Sequence, residues 1–321
     1  MTLHAITANP VPEGAVSGEL KTVDNVRVRF ARWAPLAPRR GTVCIFPGRA
    51  ETIEEYFEVV AELRIRGFAV AALDWRGQGG SQRMLHDPRK GHVWSFDEYQ
   101  KDLEIFIREV VLPDSPPPLF GLAHSMGAAV MLEMSRLGGR WFDRLVLTSP
   151  MIELAGVGST RLSRAFVRIA RRAGLGRAYV PGGSSVATVS RPFVGNPFTS
   201  DPVRYARMAA IVESAPALGV GSPTVAWTDA AFRVMRRFAD PVYPASLRQP
   251  MLLIGAGEDR VVLTPSVARF ASRLRAGAHL VVAGSKHELL MERDTFRGQF
   301  WAAFDAFIPG SPLVPGSPLY R

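Results

Sequence analysis

Leu119-Phe-Gly-Leu-Ala-His-Ser-Met-Gly-Ala-Ala-Val130 is the stretch on which the fold turns. A short apolar run ends at Leu122. Small residues stand two before and two after Ser125, at Ala123 and Gly127, and a helical pattern follows. A serine on a sharp strand-to-helix turn needs that spelling. Its backbone is forced into a strained region, and strand and helix can approach only where the flanking side chains are small. The helix that begins there also favours negative charge at its N-terminus.

Outward from this turn the same rhythm repeats. Thr42–Phe46, Phe68–Leu73, Leu145–Thr148, Met251–Ile254 and Leu280–Val282 are short, continuously apolar runs, suited to strands buried on both faces of a parallel sheet. Between them Ile53, Tyr56, Phe57, Val60 and Leu63 recur at helical spacing, as do Phe96, Tyr99, Leu103, Phe106, Ile107 and Val110. Leu20–Val23 and Val26–Ala31, joined by Asp24-Asn25, predict an antiparallel hairpin at the sheet edge. Strand alternating with helix predicts an α/β fold with a mostly parallel, doubly wound sheet.

The alternation stops between residues 150 and 245. That stretch is helical in pattern, interrupted by Gly and Pro, and carries no buried-strand run. It is expected to be a helical cap inserted before the strand at Met251. Residues 1–149 and 246–308 then form the core, and the Pro/Gly/Ser repeat at 309–321 forms a flexible tail.

Composition excludes several classes. The 321 residues are 47% hydrophobic and 21% charged, ordinary for a globular chain. A single cysteine, Cys44, forbids an internal disulfide. No apolar run is long enough for a transmembrane helix, and the N-terminus has no signal-peptide pattern, so a cytoplasmic protein is expected. The net charge of +10 is concentrated: residues 150–240 hold twelve Arg against five acidic residues. No zinc finger, basic zipper or RNA-stacking motif accompanies that charge, so no nucleic-acid partner is expected. Arg161, Arg164, Arg168, Arg171 and Arg172 fall on one helical arc, with Leu162, Phe166, Ile169 and Ala173 beside it. This helix either packs its apolar face on the sheet domain or lies peripherally on an anionic membrane.

A nucleophilic serine needs a base and an orienting acid, which in this topology follow in the order serine, acid, histidine. His287, in the loop Gly284-Ser-Lys-His-Glu288 after the last strand, is the expected base. The loop after Met251–Ile254 offers Glu258 and Asp259; Asp259 is favoured because Val261-Val262 would anchor it, with Glu258 in reserve. An oxyanion hole needs backbone N–H groups beside the nucleophile, and Arg49, in the turn Phe46-Pro-Gly-Arg-Ala-Glu51, and Met126 are placed to supply them.

Several further segments resemble the lysophospholipase and monoacylglycerol-lipase branch of the α/β-hydrolases. Gly48-Arg-x-Glu51 with Tyr56 is similar to that branch's oxyanion loop, and Asp74-Trp-Arg-Gly-Gln-Gly-Gly-Ser81 to its D-x-R-G-x-G-x-S loop. Gly91-His-Val-Trp-Ser-Phe96, His124-Ser-Met-Gly127, Phe198-Thr-Ser-Asp201 and Pro223-Thr-Val-Ala-Trp227 continue the likeness over roughly residues 20–308. Two positions depart from it. Pro47 stands where monoglyceride lipases carry His, a feature that favours the bacterial lysophospholipases, and Ala123 stands for Gly.

The resemblance implies an α/β-hydrolase fold and a serine hydrolase cleaving a single-chain lipid ester, without metal or organic cofactor. Met151, Ile152, Leu154, Phe193, Phe198 and Trp227 are the expected acyl contacts. The same triad would also serve a lipid acyltransferase. A non-catalytic scaffold that binds membranes through the basic cap is the reading from another class.

Overall fold

The structure is a computed structural model and describes residues 2–36, 39–156 and 160–309. The predicted tail therefore lies almost wholly outside the described residues. Eight strands form one sheet: β1 (Val16–Lys21), β2 (Arg27–Trp33), β3 (Thr42–Phe46), β4 (Ala69–Leu73), β5 (Leu119–His124), β6 (Arg144–Thr148), β7 (Met251–Ala256) and β8 (Gly277–Val282). Their spatial order is β1-β2-β4-β3-β5-β6-β7-β8. Only β2 runs against its neighbours, antiparallel to β1 and to β4.

Alternate side chains of the inner strands enter two different apolar clusters. Cys44 and Phe46 belong to one cluster; Val43 and Ile45, from the same strand, belong to the other. This is why those strands read as unbroken apolar runs. Helix α1 (Phe57–Ile65) covers one face. Helices α2 (Asp97–Phe106) and α3 (Ser125–Arg136) cover the opposite face. The last run behaves differently from expectation. β8 is the sheet's outer edge, so Leu280 is half-buried and Val281 exposed, and only Val282 is fully buried.

The strand order sets the place of the chemistry. From β3 the chain moves outward to β4, then returns to pair β5 on the other side of β3. The carboxyl ends of β3 and β5 therefore flank the reversal point, where open α/β sheets leave a crevice. The Gly48-Arg49 turn follows one of these ends and Ser125 the other.

Between β6 and β7 no strand is found among the described residues. Instead the chain forms α4 (Arg161–Arg172), α5 (Pro202–Ser214) and α6 (Val225–Phe238). α7 (Thr264–Ala271) and α8 (Asp294–Phe307) complete the core. Asp201 caps α5 by accepting from the amides of Val203 and Arg204. Arg204 then binds Glu58 of α1 at 2.6 Å, and Arg207 and Arg297 converge on the same carboxylate. Burial pushes Glu58 up, but these three guanidinium groups outweigh it and hold the carboxyl at about 2 against an ordinary 4.5.

A depressed carboxyl stabilises the fold above its unfolded pKa, and that contribution disappears as pH falls through the folded one. Glu58→Gln is expected to lower stability by about 2 kcal/mol at pH 7. The difference from wild type should shrink between pH 4.5 and about 2. Denaturant titrations of both proteins at neutral and acidic pH check this.

Candidate active site

β5 passes into α3 with no intervening residue, so Ser125 takes the left-handed conformation, φ 47°. That strain is the structural mark of the turn predicted from the flanking small residues. Gly127 is obligatory there: a Cβ on it would lie 2.2 Å from the carbonyl oxygen of Phe46. Ala123 pairs in register with Phe46, so the extra methyl at this position is accommodated within the sheet.

The structure brings the three predicted polar residues together. Ser125 Oγ lies 3.0 Å from His287 Nε2, and His287 Nδ1 lies 2.8 Å from Asp259 Oδ2. The other Asp259 oxygen accepts from the amides of Val261 and Val262, the anchoring expected of those residues. Burial pushes the Asp259 carboxyl up, but His287 and the two amides outweigh it and hold it below the usual range. An ionised Asp259 accepts the Nδ1–H, which leaves Nε2 as the acceptor for the serine proton. Glu258, the reserve, is exposed on the same loop, and His279 is exposed on β8.

The turn after β3 is pinned on both sides of Arg49. Gly48 donates its N–H to Glu51 at 2.5 Å, and its carbonyl accepts from Gln78 at 2.7 Å. Ala50, itself at φ 68°, donates to the Gln78 side-chain oxygen. Trp75 Nε1 donates to the Pro47 carbonyl. Met126 sits in the first turn of α3, where helix amides have no carbonyl partner of their own. Gln78 was not singled out by the sequence, although it lies in the Gly-rich loop that was. That loop is held in turn by Asp74, which accepts from Ile53 and Gly80 and pairs with Arg29.

Beneath the serine lies a buried polar network whose convergence sequence reasoning did not foresee. His124 Nε2 is 3.2 Å from Glu288 and 3.5 Å from Glu51, and its ring packs edge-on against His287 at 4.8 Å. Burial pulls His124 down, but Glu288 and Glu51 outweigh it and push it up to about 9. Burial and the Glu288 charge push Glu51 up to about 8, while the His124 cation keeps Glu288 low. Tyr56 donates to Glu51. His124, His287 and Glu288 do approach metal-ligand spacing, but both His287 nitrogens are occupied by Asp259 and Ser125. Ser149, at φ 41°, adds a second unforeseen support by donating its hydroxyl to the His287 carbonyl at 2.7 Å. Glu51 and Tyr56 were already visible in the oxyanion-loop resemblance, and the signal for two others was adjacency: His124 precedes the serine and Glu288 follows the histidine.

The expected acyl contacts separate in space. Trp227 lines a cavity of about 580 Å³ together with Leu154, Phe166, Val167, Val180 and Phe232. Met151 is buried beside the nucleophile, its N–H bonded to the Ser125 carbonyl, and is not part of that cavity wall. Phe198 packs with the cluster on the α1 side, and its carbonyl accepts the Glu288 amide at 2.7 Å. The basic helix α4 also departs from one expectation. Val167 and Ala170 face inward, whereas Leu162, Phe166 and Ile169 are 82%, 54% and 66% exposed. The apolar stripe that the periodicity offered for packing on the core is turned outward instead.

Against known proteins, the family model Hydrolase_4, described as serine aminopeptidase, S33, matches residues 37–294. Lysophospholipase L2 of Escherichia coli (strain K12) is 32% identical over 293 residues, spanning 87% of this chain and 83% of the relative. The monoacylglycerol lipase of Mycolicibacterium smegmatis is 25% identical over 276 residues, spanning 84% and 89%. Among solved structures, a soluble variant of monoglyceride lipase from Saccharomyces cerevisiae superposes with a TM-score of 0.73 at 16% identity. That match covers 92% of this chain and 97% of the other. The sheet and its helices are thus those of an α/β-hydrolase fold.

Proposed function

This chain belongs to the Hydrolase_4 family (serine aminopeptidase, S33) and is a carboxylic ester hydrolase; from that premise we propose that it cleaves single-chain lipid esters, lysophospholipid or monoacylglycerol, through an acyl-enzyme on Ser125. The observation that carries this reading is the unbroken relay from Ser125 Oγ to His287 at 3.0 Å and from His287 to Asp259 at 2.8 Å.

In the proposed cycle Ser125 Oγ attacks the ester carbonyl while His287 Nε2 takes its proton, and Asp259 stabilises the imidazolium. The carbonyl oxygen becomes an oxyanion held by the N–H groups of Arg49 and Met126, each worth about 3 kcal/mol in the transition state. As the C–O bond breaks, His287 returns the proton to the leaving alcohol. Water, deprotonated by the same histidine, then attacks the acyl-enzyme and releases the fatty acid. The apolar cavity beside Trp227 suits one acyl chain. In this reading residues 150–245 act as a cap over the site.

The test is fatty-acid release by purified protein from a lysophospholipid and from a monoacylglycerol of equal chain length. Release from either one is the expected result. Release from neither, by protein that melts cooperatively, overturns the lipid assignment.

Among the described residues no helix is long and apolar enough to cross a membrane. We propose instead that α4 docks peripherally on an anionic bilayer. Its outward apolar residues Leu162, Phe166 and Ile169 are flanked by exposed Arg161, Arg168 and Arg172, while Arg171 is engaged with Asp229 and Arg164 stands over Phe232. Basic residues near such a surface contribute roughly 1 kcal/mol each. Replacing Arg161, Arg168 and Arg172 with Gln is therefore expected to weaken co-sedimentation with phosphatidylglycerol vesicles by about tenfold or more. Unchanged sedimentation would remove α4 from this role.

A further inference from the structure

The least exposed arginines of the core are neutralised. Arg29 meets Glu54 and Asp74, Arg76 meets Asp102, and Arg297 meets Glu62. Arg49, half-buried, is not. Its side chain runs from the oxyanion turn toward residues of the inserted segment, where Nη1 donates to the Gly221 carbonyl at 2.9 Å and the guanidinium stands 5.6 Å from the Trp227 ring centroid. Among the described residues no carboxylate lies within ion-pair distance of it. Burial pulls Arg49 down to about 10, so it stays charged at neutral pH. Tyr99 and Glu51 offset that pull in part without pairing with the guanidinium. A partly desolvated cation without an ion-pair partner is costly to retain, and an anion brought by the substrate would relieve the cost.

We propose that the Arg49 guanidinium binds the phosphodiester of a lysophospholipid whose ester oxygen lies against the N–H of the same residue, making Arg49 the residue that selects phosphate-bearing substrates. The proposal rests on the lipid-ester reading above. Its geometry follows from chain lengths. An extended arginine carries its guanidinium about 6 Å from its own Cα, and about six bonds separate the ester carbonyl carbon from the phosphorus of a 1-acyl lysophospholipid, a span of about 7 Å. One residue can therefore meet both ends of the polar part of the substrate. Arginine also suits phosphate through paired N–H donors.

The experiment compares kcat/KM for lysophosphatidylethanolamine and for a monoacylglycerol of the same chain, in wild type, Arg49→Met and Arg49→Lys. The ratio of phosphate-bearing to phosphate-free substrate is expected to fall roughly twenty-fold or more in Arg49→Met, chiefly through KM, and to recover in part in Arg49→Lys. Equal losses on both substrates would overturn the proposal and leave the side chain a support of the oxyanion turn. A wild type that cleaves only the monoacylglycerol would also overturn it, with the lipid-ester reading intact. A wild type inactive on both would remove the two together.

Discussion

Ser125→Ala is expected to lower fatty-acid release by about 10⁴-fold or more, leaving only what binding and the oxyanion donors supply. The substitution removes the attacking oxygen and one hydrogen bond, to His287 at 3.0 Å. It leaves the φ 47° turn, Gly127 and the amides of Arg49 and Met126 in place, and alanine meets the same backbone strain as serine. Thermal unfolding should therefore stay close to wild type while activity disappears. His287→Ala should cost about as much, and the double variant hardly more than either alone, because the two residues act as one unit. Losses that multiply would mean that the serine and histidine act independently, against the proposed relay.

Asp259→Asn is expected to reduce kcat by about 10⁴-fold with little change in shape. The Asp259 carboxylate has two duties: one oxygen accepts from Val261 and Val262, and the other accepts from His287 Nδ1. In the amide, the oxygen is kept on the valine side by those two N–H donors. The NH₂ group then faces Nδ1 and forces that nitrogen to accept. The proton moves to Nε2, which becomes a donor toward Ser125 and no longer takes its proton. The variant also loses stability at neutral pH. The native carboxyl is held below its usual range, so its contribution is present above the unfolded pKa and disappears as pH falls through the folded one. The melting difference between Asp259→Asn and wild type should accordingly narrow on acidification. Glu258→Gln is the contrast, since Glu258 is exposed and should change kcat by less than about twofold.

Much of this site is readable from sequence because its parts are local. A nucleophile turn needs small residues at fixed spacing around Ser125, and an acid and a base at strand ends must follow in chain order. The strand positions were legible for a related reason. Residues buried on both faces leave unbroken apolar runs, and β3 spans Thr42–Phe46, as the run predicts. β8 misled because an edge strand covers one face only, and its apolar run is no different in type from an inner one.

What escaped depends on distant closure. Glu51, His124 and Glu288 meet from three distant parts of the chain, and no period links them. Gln78 acts through several hydrogen bonds to the oxyanion turn, and Ser149 through one to the His287 carbonyl. In α4 two apolar stripes compete, and periodicity does not say that Val167 and Ala170 go inward while Leu162 and Ile169 stay out. Phe198 looked like an acyl contact by type alone, yet it supports the Glu288 amide from the opposite cluster.

The central claim is that Ser125 is an activated nucleophile, and the most direct measurement is labelling with a fluorophosphonate followed by peptide mapping. A single adduct on Ser125, formed by wild type and absent from His287→Ala on the same timescale, is the predicted result. Folded wild-type protein that gains no adduct at Ser125 would contradict it, and would leave the chain a binding scaffold on an α/β-hydrolase frame.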